Sequence, residues 1–146
     1  MKTAIFELRL EKMEVRETPA VNGSYDIVSV LKNIGLHERA EEYFMLLCLN
    51  TKGFIIGTHE VSHGHLSGSI VHPREVFKRA LLNNAAAIIV AHNHPSGDTT
   101  PSQEDIGVTK RLKDCGDLLG VKLLDHIIVS PSGNYTSLAD DGLLGG

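Results

Sequence analysis

The sequence predicts an α/β fold, with helices packed on a mixed β-sheet, and three observations carry that reading. Ala86–Ala91 is short and almost wholly apolar, with Ile88, Ile89 and Val90 at its centre, and reads as a strand buried on both faces. Segments with apolar residues at helical spacing stand before it (Val76, Phe77, Ala80, Leu81) and after it (Val108, Leu112, Cys115, Leu119). Strand-like and helix-like stretches alternate along the chain, which is the order that lays helices on a sheet.

Taken in order, the opening segment alternates at Ile5, Leu8 and Leu10 and reads as a strand. Ser24 is placed to cap a short helix carrying Ile27, Val28, Val30 and Leu31, which Gly35 stops. Tyr43–Leu49 has strand length and composition; Gly53–Thr58 follows the turn signal Asn50-Thr51-Lys52-Gly53, so the pair predicts a hairpin. The next helix begins near His72-Pro73, with proline at its first position. After the buried strand, a second helix runs from about Ser102 to Leu119. Val121–Val129 is a further strand, and Pro131-Ser132-Gly133-Asn134 turns into a short terminal one.

Length and composition narrow the function classes. The 146 residues fit one domain, residues 1–146, and 42% hydrophobic with 22% charged residues exclude disordered and fibrous chains. The longest apolar run, Ala85–Ala91, falls far short of the roughly 18 residues of a membrane span, so no membrane partner is expected. Met1–Met13 has no signal-peptide core, and Cys48 and Cys115 form no CxxC pair, which together predict a cytoplasmic protein without disulfides. A net charge of -4 and a pI near 6.0 argue against a protein whose main business is coating DNA. Eight histidines are the unusual feature.

The strongest cluster is His92-Asn93-His94-Pro95-Ser96-Gly97-Asp98, followed by Thr100-Pro101-Ser102-Gln103-Glu104-Asp105. Two histidines two residues apart at the end of a strand point to the same side. The Pro-Ser-Gly turn brings the chain back, and Asp105 lies at the start of the next helix, where its carboxylate can turn inward. Two imidazoles and a carboxylate are three zinc ligands, leaving a fourth position for water, as catalytic sites do. Each piece also has a plainer reading. Ser102-x-x-Asp105 and Thr100-Pro101-Ser102-Gln103 are both credible helix-capping strings, Asp98 suits a turn, and histidines in a Pro/Gly turn suit a surface. Their meeting where a buried strand hands over to a helix favours the metal site.

Two rivals are weaker. His59-Glu60-Val61-Ser62-His63 is a literal HExxH string, which binds zinc only on a helix. Glycines and β-branched residues around it predict extended chain, where the two histidines stand roughly 13 Å apart. His63-Gly64-His65 repeats the HxH spacing without a matching acid and reads as exposed loop. His37, His72 and His126 fit no ligand pattern.

The stretch His92–Asp98 with Pro101, Ser102 and Asp105 resembles the JAMM (MPN-plus) metalloprotease signature, and more closely the bacterial RadC-like family. Val71-His72-Pro73-Arg74-Glu75-Val76 and Leu124-Asp125-His126-Ile127-Ile128 also resemble that family, so the likeness covers about residues 36–140. It implies a JAMM/MPN-like, cytidine-deaminase-like architecture, zinc held by His92, His94 and Asp105, and an upstream catalytic glutamate. From the residues alone Glu42 reads as a solvated charge at a strand mouth; the resemblance makes it the general base, ahead of Glu41 and Glu60. It further implies a metallopeptidase or isopeptidase using a zinc-activated water on a peptide or protein substrate, with Ser102 steadying the oxyanion. Asp125 or Glu75 is the candidate carboxylate behind a ligand imidazole.

Two features depart from the pattern. Asn93 stands where many JAMM peptidases carry Ser or Thr, although the RadC-like group resembles this sequence there. Residues 1–35 are too short and strand-like for the helix-hairpin-helix region of longer RadC-like proteins, which weighs against DNA binding. The alternative function is a non-catalytic, metal-containing module associated with DNA repair or mobile elements. Arg74, Lys78 and Arg79, and separately Lys110, Arg111 and Lys113, offer it only modest cationic patches. A strand edge over residues 3–10 offers pairing with a second copy, as a homo-oligomer.

Overall fold

The computed structural model describes residues 1–64 and 71–145. A five-stranded mixed sheet has strand order β2-β1-β3-β4-β5, built from β1 (Glu42–Leu49), β2 (Ile55–Gly64), β3 (Ala87–Asn93), β4 (Lys122–Val129) and β5 (Tyr135–Ser137). Only β3 and β4 run parallel; the other neighbours are antiparallel. Helix α1 (Ser24–Asn33) covers one face, where Ile27, Val28, Val30 and Leu31 meet Leu47, Leu49, Ile89, Ala91, Ile127 and Val129. Helices α2 (Pro73–Leu82) and α3 (Gln103–Leu119) cover the other, packing Val76, Phe77, Ala80, Val108 and Leu112 on Phe44, Leu46, Cys48, Ile88 and Val90. The α/β fold read from the sequence is the fold found, and among the described residues no helix is long and apolar enough to cross a membrane.

The β1–β2 hairpin turns on Asn50, whose Oδ1 accepts from Lys52 N and Phe54 N, both at 3.0 Å, and on Gly53 at φ 80°. Such an Asx turn followed by a left-handed glycine is the local chemistry the sequence advertised. Strand β2 runs past Thr58 through Gly64, so the HExxH string lies on extended chain: His59 bonds Asn83 at 2.7 Å, and His63 stacks on Tyr43. His59 lies opposite Leu46 of β1 and His63 opposite Tyr43, and the two histidines share no site. His65 lies outside the described residues.

Two expectations are corrected. Residues 1–20 form neither strand nor helix, and Ile5, Phe6 and Leu8 are 96%, 85% and 79% exposed. Alternation makes a strand only when a partner completes the ladder and something covers the apolar side; among the described residues none does, and residues 3–10 are not a strand in this chain. Ser24 is the first residue of α1 and not its cap. Its hydroxyl is spent on Asp140, while Gly23 holds the cap position and Asp26 reaches back to accept from Asn22 N at 2.8 Å.

One irregularity places the site. Between β3 and β4 the register steps from Ile88↔Leu123 to Ile89↔Asp125, so Leu124 is an extra residue without a partner. Successive strand residues alternate faces, and one inserted residue exchanges them. Counting on from Leu123, which faces α2 and α3, His126 belongs on the α1 side. The bulge instead turns it to the α3 side, beside His92.

Candidate metal centre

Strand β3 carries Ile88, Val90 and His92 to the α2/α3 face, and His92 is buried at its end. The open ends of strands in such sheets are where ligands gather. His94 follows, and the chain turns at Gly97, whose φ of 96° favours glycine and whose N–H reaches His94 O at 3.0 Å. Asp98 is a turn former, as its position suggested: its Oδ1 accepts from Thr100 N at 2.9 Å. Its main-chain oxygen does more, accepting from His94 Nδ1 at 2.7 Å.

Asp105 is aimed by a capping box. Ser102 Oγ accepts from Asp105 N at 3.0 Å, and Asp105 Oδ2 accepts from Ser102 N at 2.8 Å. The capping reading and the ligand reading therefore describe the same residues, because the box leaves Asp105 facing the histidines. Its Oδ1 lies 3.3 Å from His92 Nε2 and its Oδ2 lies 3.4 Å from His94 Nε2; the two Nε2 atoms are 2.8 Å apart. Ligands 2.0–2.1 Å from a tetrahedral ion stand about 3.3–3.4 Å from one another. Two of the three separations meet that value and the third is shorter, so the donor set fits a zinc-sized ion.

The electrostatics ask for a cation at the same point. Burial works to raise the Asp105 carboxyl, but the hydrogen bonds and charge of His92 and His94 outweigh it and hold the group well below the usual carboxylate range. Asp105 in turn raises the pKa of His94 against the opposing effect of burial. A proton or a metal ion satisfies this cluster; neutral imidazoles beside a bare carboxylate do not.

Behind His92 stands a residue that fitted no ligand pattern in the sequence. His92 Nδ1 meets His126 Nε2 at 2.8 Å, and His126 Nδ1 meets Thr109 Oγ1 at 2.6 Å. Burial, with His92 alongside, holds His126 well below the ordinary imidazole value. Phe44 stacks on His92 and meets His126 edge-on, at 6.1 Å and 5.7 Å between ring centres. The carboxylates expected in this role are elsewhere. Asp125 accepts from Ser137 Oγ, Ala139 N and His126 N, tying β4 to the C-terminal turn, and Glu75 pairs with Lys78 and Arg79. The β4 bulge is the reason: it gives the inward place to His126 and the outward one to Asp125.

A cavity of about 300 Å³ opens on the cluster, with Glu42, Ser96, Ser102 and Glu104 around it and Phe44, Val71 and Val108 as apolar wall. Of the three candidate glutamates Glu42 alone lies on this wall; Glu41 is exposed and Glu60 pairs with His63 at 3.5 Å. Asn93 explains its own presence. Fully buried, it accepts from Tyr43 N at 2.7 Å and donates to Glu41 O at 2.9 Å and Arg39 O at 3.2 Å, clamping the backbone on both sides of Glu42. No Ser or Thr hydroxyl can make three such bonds.

Comparison with known proteins adds the relatives. Residues 21–143 match the RadC-like JAB domain. A UPF0758 protein of Clostridium novyi is 56% identical over 104 residues, 71% of this chain and 45% of the relative. UPF0758 proteins of Staphylococcus haemolyticus and Methanosarcina barkeri are 43% identical over 141 residues and 46% over 143, covering 95% and 97% of this chain but 61% and 62% of theirs. The chain spans about half the length of the curated relatives it matches.

Proposed function

This chain belongs to the RadC-like JAB domain family, and on that footing we propose that it is a zinc-dependent hydrolase of peptide or isopeptide bonds. The observation that carries the reading is the convergence of His92, His94 and Asp105 donor atoms within 4.8 Å of one another, in a cavity that also holds Glu42. His92 Nε2, His94 Nε2 and one Asp105 oxygen would hold the metal, and three protein ligands leave a position open, as catalytic zinc sites do. Bound zinc supplies a Lewis acid and makes a water nucleophile available near neutral pH.

The chain's own groups supply the rest. Glu42, at the first residue of β1 and half-buried on the cavity wall, takes the proton of the attacking water and returns it to the departing amine. Ser102 Oγ already accepts from Asp105 N, so its own proton is free to donate into the cavity, where oxyanion charge develops. Phe44, Val71 and Val108 keep water from one side of the site and strengthen both interactions.

The alternative, a metal-containing module without turnover, needs the same ligands but has no use for Glu42. The cationic patch it would call on for DNA is partly spent, since Lys78 and Arg79 lie 2.7 Å and 3.0 Å from Glu75. Metal analysis of the purified chain and of His92→Ala and Asp105→Ala tests the ligands: both variants lose zinc, and full occupancy in both would remove the assignment. Screening the zinc-loaded chain on peptide and isopeptide libraries tests turnover. Glu42→Gln keeps zinc and loses hydrolysis; unchanged hydrolysis takes the base role from Glu42.

A further inference from the structure

We infer that Thr109 and His126 form a positioning pair that fixes which nitrogen of His92 faces the metal site. The inference rests on the ligand reading above, and follows from where each proton must sit. Asp105 O is a carbonyl with none to give, so at 2.7 Å Thr109 Oγ1 is the donor and its single proton is used. At the 2.6 Å contact with His126, Thr109 Oγ1 therefore accepts, and the proton lies on His126 Nδ1. His126 has no exposed surface and neither ring nitrogen bonds a carboxylate, so the ring is neutral and Nε2 carries a lone pair. The 2.8 Å contact with His92 then requires a proton on His92 Nδ1. His92 Nε2 is left bare, aimed at His94 Nε2 and Asp105.

The circuit starts and ends on one residue. It leaves the main chain of Asp105, passes through Thr109 on α3, His126 on β4 and His92 on β3, and closes 3.3 Å from the Asp105 carboxylate. His94 receives the same instruction by a shorter route, from the Asp98 carbonyl. Partners behind a ligand imidazole fix its tautomer and its orientation together. Here the partner is a second imidazole, itself oriented by a hydroxyl, and neither Thr109 nor His126 coordinates the metal.

The tautomer is read directly by long-range proton–nitrogen NMR of the metal-free chain, above the ordinary imidazole pKa of about 6.5. The parent shows the proton on His92 Nδ1. Thr109→Val, which keeps the shape and removes the acceptor, mixes the tautomers of His126 and His92, and weakens zinc affinity by about tenfold or more in chelator competition. Thr109→Ser restores both. A second pair guards against a folding defect: His126→Gln keeps an acceptor for His92 and binds zinc more tightly than His126→Leu. A proton on His92 Nε2 in the parent, or equal zinc affinity of Thr109→Val and parent, overturns the positioning role. A parent with the stated tautomer that binds no zinc overturns the metal reading instead, so the two failures are distinguishable.

Discussion

Asn93 offers the sharpest test of how the site is held. Asn93→Ala removes three hydrogen bonds at once, to Tyr43 N, Glu41 O and Arg39 O. The bonds to the Arg39 and Glu41 carbonyls are part-buried but belong to exposed residues, and each is set at the low end for a hydrogen bond, about 0.5 kcal/mol net. The Tyr43 N–H is part-buried at the 2.7 Å contact and loses about 1–2 kcal/mol. The total, about 2–3 kcal/mol, corresponds to a melting temperature lower by about 5–10 °C for a chain of this size. Asn93→Asp keeps the shape but sets a carboxylate oxygen against two carbonyls in a fully buried place, and costs more than alanine. Urea unfolding of the zinc-free chain followed by circular dichroism measures both. The clamp also spans the residues on either side of Glu42, so in the zinc-loaded chain Asn93→Ala lowers kcat by about tenfold or more, with zinc affinity near the parent's. Unfolding within about 0.5 kcal/mol of the parent, or an aspartate variant as stable as the parent, refutes the clamp.

Further predictions test other parts of the fold. Two glycines of α3 should respond oppositely to alanine: at Gly116 the new Cβ would meet Val121 O at 2.3 Å, costing about 1–3 kcal/mol, whereas at exposed Gly107 it meets nothing and adds about 0.5–1 kcal/mol. Thermal melts separate them, and a Gly116→Ala chain that melts above the parent contradicts the close contact. Burial pushes the Cys48 thiol up to about 12, so alkylation of the folded chain marks the partly exposed Cys115 first and reaches Cys48 only on unfolding; early labelling of Cys48, read by peptide mass, contradicts its place in the core. The raised pKa of His94, due chiefly to Asp105, means that protons compete with zinc as pH falls through it, and affinity drops towards tenfold per pH unit. In the metal-free chain the same shift has the opposite sense: its stabilisation is complete below about 6.5 and is lost as pH rises through the folded value. Zinc titrations and urea unfolding across that range check both signs.

The sequence made legible whatever is decided within a few neighbours. His92 and His94 share a side because strands repeat every second residue, and Asp105 turns inward because Ser102-x-x-Asp105 is a helix start. The HExxH string fails as a zinc site on the same local grounds, since its glycines and β-branched residues put it on strand β2. What escaped depends on contacts distant in sequence. His126 reaches His92 across 34 residues and only through an unpaired residue in β4 that no alternation pattern announces. Asn93 looked like a departure from a signature because its partners lie 50 to 54 residues earlier. The opening segment erred the other way: Ile5, Leu8 and Leu10 carry a strand's pattern without the partner that would make one.

The extra residue in β4 separates two kinds of information usually carried together. Leu124 is 38% exposed and pairs with nothing across the ladder, so its side chain is nearly free to vary. Its exclusion from the ladder is not. Were Leu124 instead paired with Ile89 in a regular ladder, Asp125 would turn toward α3 and His126 toward α1, while Ile127 and Val129 would leave the apolar layer they now share with Ile27 and Leu31. One position thus sets the phase for both the metal site and the opposite core. At this chain length the faces come out as they do only because one residue of β4 is left out of the ladder.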